Sequence, residues 1–388
     1  MKNILWLTEW FPSSFEPFNG DGIERRGKAA SLHHNITVIY VKKKPGLRFG
    51  KIETEERSYG SHYKAFLYLY PSIRKFNRFL DIVLSNYYFF KLHLKAIRDF
   101  KRKYNKPDGI QVNVAMKNGV IALFCKWFWH MDYIVVEGWG LFLPESIPKF
   151  KDKSWLFRFF TRQVFKQATL VITVSNHLGK MIRAHVADVP YKVIPSVVDR
   201  TIFYPAEENL ENKIFRFIHI SNLDYSKNIQ QILSGLKQFL ETGRQAELVI
   251  HAPNTKTLFG EIVLLNLERH VIIKEEAPQA LLADSIRSSD ALILFSLYET
   301  FGNVVIEAQA CGVPVITSDY ATFFETVENG VNGIIAKGKN AGALAEAMIK
   351  CIADKRNFDS KRISEKAFSS YSFELIGKMF DEVYTQYF

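Results

Sequence analysis

Residues 297–316 read Leu297-Tyr298-Glu299-Thr300-Phe301-Gly302-Asn303-Val304-Val305-Ile306-Glu307-Ala308-Gln309-Ala310-Cys311-Gly312-Val313-Pro314-Val315-Ile316. The apolar run Ala291 to Phe295 in front of it reads as a buried strand that ends near Ser296. A short turn then holds Glu299 and Gly302, a helix starts near Asn303 and stops at Gly312, a C′-type glycine, and a further strand follows. Ligands of open α/β sheets bind outside the carboxyl ends of the strands, which is where Glu299 falls. The helix start offers free N–H groups and the positive end of the dipole to a phosphate, and Gly302 permits close backbone approach. Glu307, one turn onward, is acceptor-only when ionised and suits a pair of sugar hydroxyls. On spacing alone, a solvated turn residue at Glu299 and a surface carboxylate at Glu307 fit the same pattern.

Outward from this stretch, Val-, Ile- and Phe-rich runs alternate with amphipathic segments, the pattern of βα units and parallel sheets. The first half offers strands at Ile4 to Leu7, Ile36 to Val41, Ile110 to Val114, Tyr133 to Val136 and Leu170 to Val174. The second offers Phe215 to Ile220, Leu248 to His251, Ala291 to Phe295 and Val313 to Thr317. Between the sets, Val193 to Asp199 and the polar, acidic stretch Phe203 to Asn209, punctuated by Pro195 and Pro205, read as an interdomain linker. The division expected is residues 1–198 and 199–370, each Rossmann-like, with the amphipathic stretch 371–388 returning to the first.

A chain of 388 residues with 47% hydrophobic and 23% charged side chains has length for two or three domains and excludes pervasive disorder and a collagen-like fibre. Three cysteines without paired spacing exclude a disulfide framework and a cysteine-based zinc site, and point to a reducing, cytoplasmic home. The opening apolar run is broken by Glu9, too short for a signal sequence, and no stretch of about 18 apolar residues is present to span a bilayer. Charge is uneven: residues 1–200 hold 33 basic and 16 acidic side chains, net +17, against −6 in the remainder. The basic half is therefore expected to face something anionic.

The pair Glu299 and Glu307 followed by Ala310-Cys311-Gly312-Val313-Pro314 resembles the E-x7-E region of group-one (family 4) retaining glycosyltransferases of the GT-B fold. The likeness continues in order along most of the chain. Val171 to Leu178 resembles that family's strand and turn near the end of the first domain, and Val193 to Asp199 its IPNGVD linker, with Ser196 and Val197 as departures. Glu325 to Gly333 resembles its E-x-v-x-x-G-x-x-G turn. The resemblance implies an α/β protein of two Rossmann-like domains with parallel sheets facing across a cleft. It implies a nucleotide-diphosphate sugar as co-substrate, no cofactor and no metal, with transfer that keeps the anomeric configuration.

Residue by residue, the resemblance puts Glu307 on the nucleotide ribose and Glu299 beside the donor sugar. It puts the backbone of Phe301, Gly302, Asn303 and Val304 against the diphosphate. Lys227, in Phe217 to Asn228, follows a strand and can neutralise a diphosphate leaving group, or stand as a solvated helix-start lysine. Its family counterpart binds phosphate, and the family's frequent arginine is replaced here by Asn222. In the first half Gly20 and Gly22 lie in a segment that resembles the family's glycine-containing loop facing the donor phosphate and acceptor, where a plain loop-to-helix join fits the same residues, and Asp21 with Glu24 has the spacing of a capping box. Glu137-Gly138-Trp139 stands where relatives often read Glu-His-Trp, and Ala321-Thr322 where a glycine pair is usual.

The stretches Ile73 to Lys103 and Lys151 to Arg162 mix aromatic and basic residues. Each singly reads as a helix packing its aromatics into a core, while the charge of the whole half favours peripheral contact with an anionic membrane or a phosphorylated lipid acceptor. No nucleic-acid module is recognisable, nothing fixes the oligomeric state, and His33, His34, His177 and His251 have no metal-ligand spacing. The function implied is sugar transfer to a glycan or lipid-linked acceptor, in cell-surface polysaccharide or glycoconjugate synthesis. The mechanism adopted is front-face transfer in which the departing phosphate helps deprotonate the acceptor, in preference to double displacement. A glycosyltransferase-like binding protein without turnover and a nucleotide-sugar epimerase are the alternatives.

Overall fold

Apolar runs buried on both faces become the parallel strands of two sheets, as that composition requires. The computed structural model describes residues 1–72, 78–207, 214–253 and 255–388. In the first half the strands are β1 Asn3–Thr8, β2 Asn35–Lys44, β3 Glu53–Ser58, β4 Tyr63–Pro71, β5 Gly109–Asn113, β6 Tyr133–Glu137, β7 Leu170–Thr173 and β8 Tyr191–Val193. In the second they are β9 Phe215–Ile220, β10 Ala246–His251, β11 Val271–Lys274, β12 Ala291–Leu294, β13 Val315–Thr317 and β14 Gly333–Ile335. The sheet orders are β3-β4-β2-β1-β5-β6-β7-β8 and β11-β10-β9-β12-β13-β14. Pairing is parallel except between β3 and β4. Two Rossmann-like sheets thus face each other, in agreement with the fold class implied by the sequence.

The linker is held firmly. Ile194, Val197, Val198 and Phe203 are buried, and the Val198 N–H donates to the Tyr371 carbonyl at 2.9 Å, so the two crossings between the domains run side by side. Past Tyr371 the last helix, Phe373–Tyr387, packs on the first helix, Asp21–Ala30. There the Trp6 indole donates to Tyr384 Oη (3.1 Å), which donates to Gln111 Oε1 (2.5 Å). Residues 73–77 of the first aromatic–basic stretch, and Glu208 and Asn209 of the linker reading, lie outside the described residues.

Two local expectations are corrected. The first helix does begin at Asp21, but its N-cap is Gly20, left-handed at φ 80°, and no capping box forms. A Cβ on Gly20 would lie 2.5 Å from the Trp10 carbonyl carbon, so glycine alone fits that corner. Asp21 instead accepts from the Gly22 N–H at 2.7 Å and from the Gln279 amide, while Glu24 pairs with Lys28 at 2.8 Å. The aromatic–basic helices, Arg78–Tyr104 and Trp155–Gln167, place only some of their apolar residues in the core. Phe89, Leu92, Ile97, Phe100, Val164 and Phe165 are core, whereas Phe79, Ile82, Val83, Tyr87, Trp155 and Phe159 are exposed. A helix of 27 residues is about 40 Å long.

Candidate functional site

The carboxyl ends of β1, β5, β9 and β12 open on one cavity of about 490 Å³ between the two domains. Gly20, Gly22, Gly138, Asn222, Lys227, Glu299, Phe301, Gly302, Asn303, Val304 and Glu307 all line it. Glu137 and Trp139, which flank Gly138, do not line it.

On the second-domain side, β12 runs into the turn that ends at Gly302, the left-handed N-cap (φ 84°) of the helix Asn303–Ala310. Gly312, also left-handed, follows that helix, as the sequence predicts. Glu299 Oε2 meets Lys227 Nζ at 2.5 Å, and Glu299 Oε1 accepts from the Thr300 N–H at 3.1 Å. Both side chains are largely buried, at 14% and 19% exposure. Thr322, one of the two departures from a glycine pair, donates its hydroxyl to the Glu299 carbonyl at 2.8 Å and so steadies the turn. Asn222 turns back into its own loop and donates to Asp224 Oδ2 at 2.6 Å. Beneath it, His219 bonds the Ile293 carbonyl and Ser221 Oγ, each at 2.8 Å, and burial pushes its imidazole down to about 4. A neutral ring is thereby built in as the anchor of the loop that carries Lys227.

On the first-domain side, the loop Gly20–Gly22 touches the start of the cleft helix: a Cβ on Gly22 would lie 3.1 Å from Asn303 Nδ2. One turn along each helix, Arg25 donates to Glu307 Oε1 at 2.6 Å, a buried ion pair between the domains. Burial pushes the Glu307 carboxyl up from its ordinary range, and the Arg25 guanidinium opposes that rise. Arg26, next in sequence, also lines the cavity. Neither arginine stood out by spacing from a known motif. The available signal was periodicity: Arg26 shares the buried helix face with Ile23 and Ala30, where a cation is out of place.

Glu137 is fully buried and accepts from the N–H groups of Ala115 (2.8 Å), Gly138 (3.0 Å) and Trp139 (2.8 Å). Desolvation nonetheless pushes its carboxyl up to about 7. Trp139 packs edge-on against Trp10 at 6.2 Å. Gly138 faces the cavity with room for a side chain, since a Cβ would make only a 3.4 Å contact with Val174. Farther along the seam Glu325 accepts from the Asn176 and His177 N–H groups, both at 2.7 Å, at the N-terminus of the helix Asn176–His185. Ser175 Oγ donates to the Thr300 carbonyl at 2.6 Å. The two segments that resemble family motifs on opposite domains therefore meet each other.

Residues 201–370 match the sequence family described as glycosyl transferases group 1. The chain carries a group 1 glycosyltransferase domain. Among curated relatives, N-acetyl-alpha-D-glucosaminyl L-malate synthase of Bacillus anthracis is 25% identical over 56% of this chain and 60% of that protein. A D-inositol 3-phosphate glycosyltransferase of Nocardiopsis dassonvillei is 33% identical over 50% of this chain and 49% of that protein. The chain thus spans about half of the length of these relatives. Among solved structures, sucrose-phosphate synthase from Thermosynechococcus elongatus superposes with a TM-score of 0.79 at 18% identity, covering 99% of both chains. HepE from Anabaena, in complex with UDP and glucose, superposes at 0.74 and 18% identity, covering 99% of this chain and 100% of its own. These likenesses establish the two-domain GT-B fold, with the glycosyltransferase domain forming the wall that holds Lys227, Glu299 and Glu307.

Proposed function

We propose that the protein is a retaining glycosyltransferase that moves a sugar from a nucleotide-diphosphate donor to a glycan or lipid-linked acceptor in cell-surface polysaccharide or glycoconjugate synthesis. The observation that carries this reading is the Lys227–Glu299 pair set beside the start of the helix Asn303–Ala310, inside a cavity closed by both domains. Breaking a glycosyl–phosphate bond leaves negative charge on the departing diphosphate, and fixed donors at that charge supply most of the acceleration. Lys227 and the helix-start amides fill that role without calling on a metal ion. Glu299 lies beside the sugar, and Glu307 receives the ribose hydroxyls on its carboxylate oxygens. The front-face route needs no side-chain nucleophile, because the departing phosphate takes the acceptor's proton.

We place the protein at the cytoplasmic face of an anionic membrane. Among the described residues no helix is long and apolar enough to cross a membrane. Support comes from the exposed Phe79, Ile82, Val83, Tyr87, Trp155 and Phe159 on the half of the chain that carries net +17. The test is a thermal-shift screen of nucleoside diphosphates and their sugar conjugates, uracil first, followed by a transfer assay. A ligand of the native state raises the melting temperature. If no such compound shifts the melt and no sugar is transferred or hydrolysed, the proposal fails.

A further inference from the structure

Among the described residues the cavity's charged side chains form two ion pairs and leave Asp21 and Arg26 without an ionic partner. Lys227 is neutralised by Glu299, Arg25 by Glu307, and Asp21 is bonded by the Gly22 N–H and the Gln279 amide. Arg26 is 7% exposed and lines the same cavity, and among the described residues no carboxylate or carbonyl accepts from its guanidinium; its Nε is buried without a partner. The groups that act on it are Glu137, Arg25 and Tyr384. Glu137 has its carboxylate committed to three backbone amides, Tyr384 donates its hydroxyl to Gln111, and Arg25 is a like charge. A buried unpaired cation costs stability, so a chain that keeps one without a ligand is poorer for it than one with a neutral side chain there.

We propose that Arg26 is the seat of an oxyanion carried by a ligand of the cleft. The inference rests on the cleft being the reaction site. A guanidinium offers five donors in a fork matched to phosphate or carboxylate, and a site excluded from water strengthens that grip. Two parts of the reacting pair can present this chemistry: the diphosphate of the donor, or an acid group on the acceptor. Arg26 lies on the helix Asp21–Ala30 capped by Gly20 and lines the cavity in which the two would meet.

The experiment compares wild type, Arg26→Gln and Arg26→Lys for binding of inorganic pyrophosphate, inorganic phosphate and UDP by calorimetry, together with the melting temperature without ligand. Arg26→Gln should melt no lower than wild type when empty and bind the anion at least tenfold more weakly, with Arg26→Lys in between. Loss of affinity for UDP and pyrophosphate assigns the seat to the donor. If UDP binds Arg26→Gln normally, but UDP-saturated wild type takes up phosphate and the variant does not, the seat belongs to the acceptor. Unchanged affinity of Arg26→Gln for all three anions overturns the inference, as does a wild type that binds none of them or a variant whose only defect is a lower melt. Wild-type phosphate binding that depends on Arg26, without UDP binding, would leave this inference standing while removing the nucleotide-sugar reading.

Discussion

Lys227 is the residue on which the proposed chemistry can be tested most sharply, by Lys227→Met. Its ammonium lies 2.5 Å from Glu299 Oε2 in a pair that is four-fifths buried or more on each side. A unit charge about 4 Å from a phosphate oxyanion gains about 4 kcal/mol at an effective dielectric of about 20. Part of that gain is spent in loosening the bond to Glu299, and hydrogen bonds to charged groups net about 1.5–3 kcal/mol. Since about 1.4 kcal/mol is tenfold in affinity, UDP should bind Lys227→Met roughly ten- to a hundredfold more weakly. UMP is the control: it keeps the base and ribose but lacks the second phosphate. Calorimetry on the two ligands should show the loss for UDP and little or none for UMP. An equal loss for both, or none for UDP, would show that Lys227 acts through the loop's shape or faces another part of the ligand, and the phosphate role would be refuted.

Glu307→Ala should weaken UDP about tenfold, since it removes the acceptor for two hydroxyls; unchanged affinity removes the ribose role. Arg25→Met should weaken UDP at neutral pH, and the affinity should recover as pH is raised, because without the guanidinium the buried Glu307 carboxyl holds its proton longer; a pH-independent loss would count against this. Glu137, with its carboxyl at about 7 in the fold against about 4.3 unfolded, binds a proton more tightly when native. Stability is therefore greatest below about pH 4.3 for this group and falls by on the order of 3 kcal/mol as pH rises to about 7, a slope in urea midpoints that Glu137→Gln should flatten. Phe79→Asp with Trp155→Asp should reduce co-sedimentation with phosphatidylserine vesicles several-fold and leave neutral vesicles unaffected, whereas equal binding by the wild type to both would dismiss the membrane surface.

The sheets were legible in the sequence where strands are buried on both faces and short where they are not. Ile36 to Val41 announces itself as an apolar run, and its strand reaches Asn35 at one end and Lys44 at the other because β1 and β4 pair with those residues, whereas Phe215 to Ile220 is the whole of β9. β3 is an antiparallel edge, alternating half-buried and exposed, whose Glu53, Glu55, Glu56 and Arg57 offer no apolar run to mark it as a strand; charge on an edge strand is a guard against pairing with other chains. β14 has three residues and its identity comes from β13 alongside it. The helix-start error has a similar cause. Asp21 and Glu24 have the right spacing for reciprocal capping, but Gly20 already turns the chain, which frees both carboxylates for partners elsewhere. Local spacing states what a residue can do, and the corner before it decides which option is used.

Glu307 shows what no local reading supplies. Its partner Arg25 is 282 positions away and belongs to the opposite domain, so the pair exists only once both sheets have formed and closed. The geometry leaves Oε2 unengaged by Arg25, which holds Oε1 alone. An ionised carboxylate has about four lone-pair sites, so ribose hydroxyls can be received without expelling the arginine. On the proposed ribose role of Glu307, nucleotide binding and closure reinforce each other through one side chain. With the domains together, Arg25 favours the charged, acceptor-only form of Glu307, and with them apart the same carboxyl faces water without its cation. By linkage, whatever closure contributes to nucleotide affinity the nucleotide returns to closure.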